Sequence, residues 1–105
     1  MDTETVRATE IAKKNDECRK GYTLTLTRGV QALPDVLEVL EMVRKFNDFG
    51  EDNDPYGEHD FGSFECFGEK LFWKIDYYDS ALELWADPTS NECHRVLTVM
   101  LAEEY

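Results

Sequence analysis

Asp60-Phe-Gly-Ser-Phe-Glu-Cys-Phe-Gly-Glu-Lys-Leu-Phe-Trp-Lys-Ile-Asp-Tyr-Tyr78 decides the fold. Residues 60–67 and 70–78 read as two strands around a tight Gly68-Glu69 turn. A strand turns successive side chains to opposite sides, so Leu71, Trp73, Ile75 and Tyr77 share one face, and Phe64 and Cys66 can join the same core. Upstream, residues 47–59 are dense in Asn, Asp, Gly and Pro, which predicts an irregular surface loop, long for so small a domain. Downstream, residues 79–85 are expected to form a short helix capped by Asp79 or Ser80, with a second loop at 87–91. The apolar run at 95–102 fits a strand or a helix by periodicity, and its β-branched content favours a central strand.

Further toward the N-terminus, Asp2 or Thr3 can cap a first helix reaching about Arg19, with Gly21 as its stop. Its apolar stripe of Val6, Ala8, Ile11, Ala12 and Cys18 is weak, so shallow packing is expected. Residues 22–27, Tyr-Thr-Leu-Thr-Leu-Thr, alternate as a strand with Tyr22, Leu24 and Leu26 on one face. A turn is expected at Arg28-Gly29. A helix over 34–46 follows, with Pro34 in its first turn and a broad stripe of Val36, Leu37, Val39, Leu40, Met42, Val43 and Phe46. The expected class is α+β: one domain over 1–105, an antiparallel sheet of three or four strands, and two helices packed on one face.

Charge is distributed unevenly. Residues 1–45 hold eight acids and eight bases, so the formal net charge of −12 lies wholly in residues 46–105. With 42% hydrophobic residues and thirteen aromatics the chain can bury enough apolar area to fold despite that charge. The acid excess argues against direct binding to nucleic acid or to an anionic membrane, and favours a basic protein surface as partner. Cys18, Cys66 and Cys93 are odd in number and widely spaced, which indicates neither a disulfide framework nor a zinc site and suits a reducing cytoplasm. Neither a membrane-spanning apolar run nor a signal-peptide pattern is seen.

Four segments carry a family resemblance: Phe46-Asn-Asp-Phe49, the block from Asp52 to Phe64, Phe72-Trp-Lys-Ile-Asp-Tyr-Tyr-Asp79, and Arg95-Val-Leu-Thr-Val-Met-Leu-Ala102. Together, with the weaker Asn15-Asp16 and Leu26-Thr-Arg-Gly-Val30 segments in register, they resemble DUF3768, a bacterial domain family of unknown function. The likeness covers most of the chain from about Ile11. It supplies no catalytic residues. It implies a small bacterial cytoplasmic protein of a kind found on mobile elements, which raises the expectation of counter-defence, such as inhibition of a CRISPR or restriction nuclease.

The residues themselves offer several chemistries. Asp52, Asp54, Glu58, His59 and Asp60 supply hard oxygen ligands and one imidazole close in sequence, but a calcium loop counted from Asp52 puts Tyr56 at position 5 and Ser63 at position 12, so the bidentate glutamate is missing. A solvated acidic turn is the better reading, and no cofactor or metal is expected. His59 with Glu58, Asp60, Ser63 and Tyr56 has the residue types for hydrolysis. In strand geometry, however, His59 and Ser63 face away from Glu58 and Asp60, so a histidine anchoring the loop backbone is preferred. The aromatics Phe61, Phe64, Phe67, Phe72, Trp73, Tyr77 and Tyr78 lack the basic groove that a single-strand platform needs. What remains is the acidic excess. Solubility accounts for it as well as a sharper reading does, DNA mimicry: carboxylates set where a duplex presents phosphates can occupy a nuclease's basic channel.

The function expected from these features is that of an acidic, non-enzymatic binding protein, an inhibitor of anti-CRISPR or anti-restriction type. It would act by DNA mimicry or by blocking a basic surface of a nuclease or CRISPR effector subunit. Its expected contact residues are Asp48, Glu51, Asp52, Asp54, Tyr56, Glu58, Asp60, Asp76 and Asp79. The alternative is a small divalent-metal-dependent enzyme or ligand-binding domain centred on His59.

Overall fold

The hairpin forms as the alternation requires, with its turn one residue earlier than expected. In the computed structural model, which describes residues 3–21 and 24–105, β2 (Phe61–Cys66) pairs antiparallel with β3 (Glu69–Tyr78), and Cys66 faces Glu69. The two turn residues are therefore Phe67 and Gly68, both in the left-handed region at φ 55° and 74°. Two positive φ angles are what a two-residue turn needs to match strand twist. Glycine takes that conformation freely, whereas Phe67 is strained by roughly 1 kcal/mol.

The remaining elements, in chain order, are α1 (Thr3–Lys20), β1 (Thr25–Leu26), α2 (Arg28–Gln31), α3 (Val36–Lys45) and β4 (His94–Leu101), closed by a 3-10 turn at Ala102–Glu104. The sheet order is β1-β4-β3-β2. β4 is a central strand, as its β-branched content suggested, antiparallel to β3 with Trp73 opposite Val99. It is parallel to β1, with Leu26 opposite Val99. The sheet is thus mostly antiparallel with one parallel pair. Between β1 and β4 the chain crosses through α2, α3 and the β2–β3 hairpin, and such a crossover lets two neighbouring strands run the same way.

One core joins Val30 of α2 and Val39 and Val43 of α3 to Leu71, Trp73, Ile75, Leu97, Val99 and Leu101 of the sheet. Asp35 caps α3 by accepting from the Glu38 amide at 3.3 Å, so the helix begins just after Pro34 rather than on it. Where a turn was expected at Arg28-Gly29, the four-residue helix α2 forms. Glu104 closes it by accepting from the Gly29 amide at 3.0 Å and the Thr27 hydroxyl at 2.6 Å.

Two further expectations are corrected. The packing of α1 is deep, not shallow: Ile11 and Ala12 are buried, and so are Asn15 and Arg19. Residues 79–85 form no helix. Asp79 caps the Glu83 amide, but Leu82 turns left-handed at φ 59° and the Asp79 amide bonds back to the Leu84 carbonyl, so Trp85 bridges Tyr78 instead. A short helix needs a packed face, and Leu82, Leu84 and Trp85 point outward. The aromatics divide between the two sheet faces, as alternation requires: Phe61 and Phe72 lie opposite the helices, their ring centroids 6.2 and 5.5 Å from that of Tyr105. Tyr22 and Thr23 of the expected first strand, and Asp2 as a helix cap, lie outside the described residues.

Candidate functional site

Along α1, Ile11, Asn15 and Arg19 recur every four residues and so lie on one face. Two of the three are polar, and all are buried. A buried polar group is tolerated only when hydrogen-bonded. Asn15 Nδ2 donates to the Glu58 carbonyl and to the Tyr77 hydroxyl, each at 2.9 Å, while its Oδ1 accepts from Arg95 Nε at 2.6 Å. One amide thus ties α1 to the 46–60 loop, to β3 and to β4. Burial, with the Asp60 and Glu58 carboxylates nearby, pushes the Tyr77 hydroxyl up to about 12 despite the hydrogen bond from Asn15, so it stays protonated.

One turn further on, Arg19 Nη1 donates to the Val43 and Phe46 carbonyls at 3.1 and 2.8 Å, closing the C-terminal end of α3. Its Nη2 donates to Asp16 Oδ1 at 2.5 Å. The guanidinium lies 5.3 Å from the Phe49 ring centroid and 5.0 Å from that of Trp73, within cation–π range.

Asp16 also receives His59, whose Nδ1 lies 2.9 Å from its Oδ1. The alternation drawn for strand β2 does not reach His59, because its backbone is left-handed at φ 56° and reverses where the ring points. The imidazole stacks flat on Phe49, centroids 3.8 Å apart and 2° from parallel. Its Nε2 faces Asp54 Oδ2 at 3.7 Å. Both ring nitrogens therefore face carboxylates within the protein, Nδ1 at hydrogen-bond distance and Nε2 beyond it, and these contacts hold the loop to α1. His59 anchors the loop as expected, but through Asp16, Phe49 and Asp54 rather than through backbone.

The loop also closes on itself. Asn53 Oδ1 accepts from the Gly50 amide at 2.7 Å, and Asn53 Nδ2 donates to the Asp48 carbonyl at 2.6 Å. Asp54 Oδ1 accepts from the Glu58 and His59 amides, each at 3.2 Å. Asp54 is buried, which corrects its expected place among the contact residues: its carboxylate is turned inward onto the loop's own amides. Asp48, Glu51, Asp52 and Tyr56 are exposed. Tyr56, 80% exposed, stands at the lip of a groove of about 810 Å³ between the first half of α1 and the loop, lined by Glu4, Arg7, Glu51, Glu58 and His59 among others.

The fold brings a second set of acids together at the end of the sheet where β2 begins and β3 ends. Burial raises the Glu58 carboxyl above its usual value, and the nearby Asp60, Asp54 and Asp87 add to the rise against the pull of Arg7. Burial likewise raises Asp60, with Asp54 and Asp76 adding to it. Asp76 pairs with Lys74 at 3.0 Å. Asp79 is held below the usual carboxylate range, chiefly by the Glu83 amide. Asp48, Glu51 and Asp52 stand apart on the loop's outer crest.

These shifts have opposite consequences for stability. Burial pushes Asp16 up, but hydrogen bonds from His59 and Arg19 and their charges outweigh it and leave the carboxyl below its ordinary 3.8. A lowered carboxyl stabilises the fold above the unfolded value and ceases to as pH falls through the folded one; a raised carboxyl does the reverse. The melting temperature should therefore rise as pH falls through the range where the raised Glu58 and Asp60 carboxyls take up protons, and drop at lower pH, where the lowered Asp16 does, together with Asp79, Asp87 and Glu104. A pH series of melts checks this. Asp16→Asn should flatten the acid limb, and an unchanged limb would refute the assignment to Asp16.

Among the described residues no group of three or more His, Cys, Asp or Glu side chains converges to hold a metal ion, and no helix is long and apolar enough to cross a membrane. Cys18, Cys66 and Cys93 are free thiols, and burial raises the first two. A raised thiol is a poor nucleophile. Asp16, Arg19, Asn15, Arg95 and Phe49 were not anticipated at the site. The spacing of four from Ile11 was a signal for Asn15 and Arg19 alone; Asp16, Phe49 and Arg95 had none beyond their place in the segments that carry the family resemblance.

Fold and site together define a small α+β domain with a locked acidic loop and a crowded carboxylate end. Residues 26–104 match the family described as Protein of unknown function (DUF3768), and the chain belongs to that family. No match was found among curated proteins or solved structures.

Proposed function

We propose that this protein is a non-enzymatic acidic binding protein that inhibits a nucleic-acid-handling complex, of anti-CRISPR or anti-restriction type, by occupying a basic surface where DNA would lie. The observation that carries this reading is the gathering of Glu58, Asp60, Asp76 and Asp87 at one end, close enough that burial and mutual repulsion raise Glu58 and Asp60. Asp76 and Asp87 already pair with Lys74 and Arg7, so the crowded carboxylates that a partner's lysines and arginines would relieve are Glu58 and Asp60, and that relief would add to the binding energy. The hydrogen bonds that lock the loop support the same reading, since a pre-ordered loop loses little entropy on binding.

Immobilised protein should retain a basic nuclease or CRISPR subunit from bacterial lysate at about 0.05 M salt and release it at about 0.5 M, where screening is strong. DNA should compete. Glu51→Gln, Asp52→Asn and Glu58→Gln combined should weaken retention by roughly tenfold or more while leaving the fold intact, because none of these side chains holds the loop together. Retention insensitive to salt and to this triple variant would refute the proposal. His59→Ala is a poor control, since it loosens the loop; His59→Asn suits the left-handed backbone better.

A further inference from the structure

The apolar loop that follows β3 is the most unusual surface of the molecule. Leu82, Leu84 and Trp85 are 56%, 68% and 68% exposed, three large apolar side chains within four residues. The loop is held firmly at both ends. The Leu82 amide donates to the Asp79 carbonyl at 2.9 Å, the Asp79 amide to the Leu84 carbonyl at 2.8 Å, and the Ala86 amide to the Tyr77 carbonyl at 3.3 Å. Asp79 Oδ1 caps the Glu83 amide at 3.1 Å. Leu82 is kept left-handed at φ 59°, a conformation that an ordinary turn would give to glycine or asparagine.

Nothing in the core rewards this arrangement, because the three side chains it orders point away from the core. Apolar side chains presented rigidly to water mark an interaction surface, and tryptophan is the residue most enriched among binding anchors. Trp85 extends the line of β2 along the edge of β3, opposite Tyr78, at the margin of the sheet face that carries no helix. Acids flank it: Asp79 and Glu83 within the loop, and Asp76 on the neighbouring strand, where it shares Lys74; Asp87 just beyond is taken up by Arg7 at 3.0 Å.

We infer that Leu82, Leu84 and Trp85 form the apolar anchor of a docking surface whose occupant is a cationic amphipathic segment of another protein, with apolar residues against the loop and lysines or arginines against Asp76, Asp79 and Glu83. The sign of the charge selects this occupant. A second copy would bring the same acids together from a chain of net charge −12, and an anionic lipid surface would be repelled likewise. The inference rests on the acidic-binding reading for the charge of the partner, whereas the apolar anchor is an independent observation.

The probe is a labelled synthetic helix of leucine and lysine in amphipathic order, followed by fluorescence anisotropy, with a scrambled peptide of the same composition as comparison. The wild type should bind the amphipathic peptide more tightly than the scrambled one and shift its Trp85 emission to the blue, since Trp73 is already buried. Trp85→Ala and Leu84→Ala, at exposed positions where folding is unaffected, should each weaken binding of the amphipathic peptide by roughly tenfold and leave the scrambled peptide nearly unchanged. Equal binding of both peptides, or full affinity in both variants, would overturn the anchor while leaving the acidic-binding reading standing. Failure of both peptides to bind at low salt would overturn both.

Discussion

Arg19→Ala is expected to lower the unfolding free energy by about 4 kcal/mol. Arg19 is 3% exposed, and its guanidinium serves the Asp16 carboxylate and two carbonyls at the end of α3 while lying over Phe49 and Trp73. Removing it leaves the two carbonyls unpaired, Asp16 without its buried partner, and a void beside two aromatic rings. At about 4–8 °C per kcal/mol for a domain of this size, the melting temperature should fall by more than ~15 °C. Arg19→Lys should recover less than half of the loss, because one ammonium cannot reach three acceptors spread along a planar fork. Urea titrations of the three proteins decide the matter. A loss below about 1 kcal/mol for Arg19→Ala would show that solvent replaces the guanidinium at little cost.

Gly62→Ala should cost about 3 kcal/mol although it adds a single methyl group. Gly62 lies against the indole of Trp73, and a Cβ there would overlap Nε1, with Cε2 at 2.6 Å and Phe46 Cζ at 2.8 Å. Neither ring can retreat easily. Trp73 is fully buried, and Phe46 packs edge-on to both Trp73 and Phe49, at centroid separations of 5.4 and 5.1 Å. The displacement should reach the Phe49–His59 stack, so near-ultraviolet circular dichroism should change along with stability. Gly68→Ala is the control. Its Cβ meets nothing within 4 Å, and only the backbone angle of +74° is strained, so about 1 kcal/mol is expected. Equal effects at the two glycines would mean that the indole is free to move.

The same pair of glycines shows how much was legible in advance. The hairpin, α3 and the central strand β4 were readable because each carries an apolar repeat of period 2 or 3.6, or a β-branched run, that admits few other placements. Even there the turn fell on Phe67-Gly68, since a phenylalanine with positive φ is not a pattern that propensity recognises. For α1 the reading failed on packing: apolar periodicity scores Asn15 and Arg19 as surface, and only partners remote in sequence (Tyr77, Arg95, Val43 and Phe46) make their burial tolerable. The expected helix at 79–85 failed for the opposite reason. Its leucines and tryptophan promise a buried face that the fold does not supply.

The candidate site divides in the same way. Its acidity, its loop and the exposure of Tyr56 followed from composition and turn chemistry. That Asp54 faces inward, that His59 joins Asp16 across the molecule, and that Asp60 and Asp76 crowd one end did not. The chain by itself determined the class of fold, the hairpin at its centre, the sign of its charge and the half of the sequence that holds it, because these depend on local periodicity and on sums over residues. Only the tertiary structure decided which polar groups are buried, which acids raise one another and which apolar side chains are left in water. Those properties depend on distances between residues far apart in the chain, and such distances exist only once the helices have closed over the sheet.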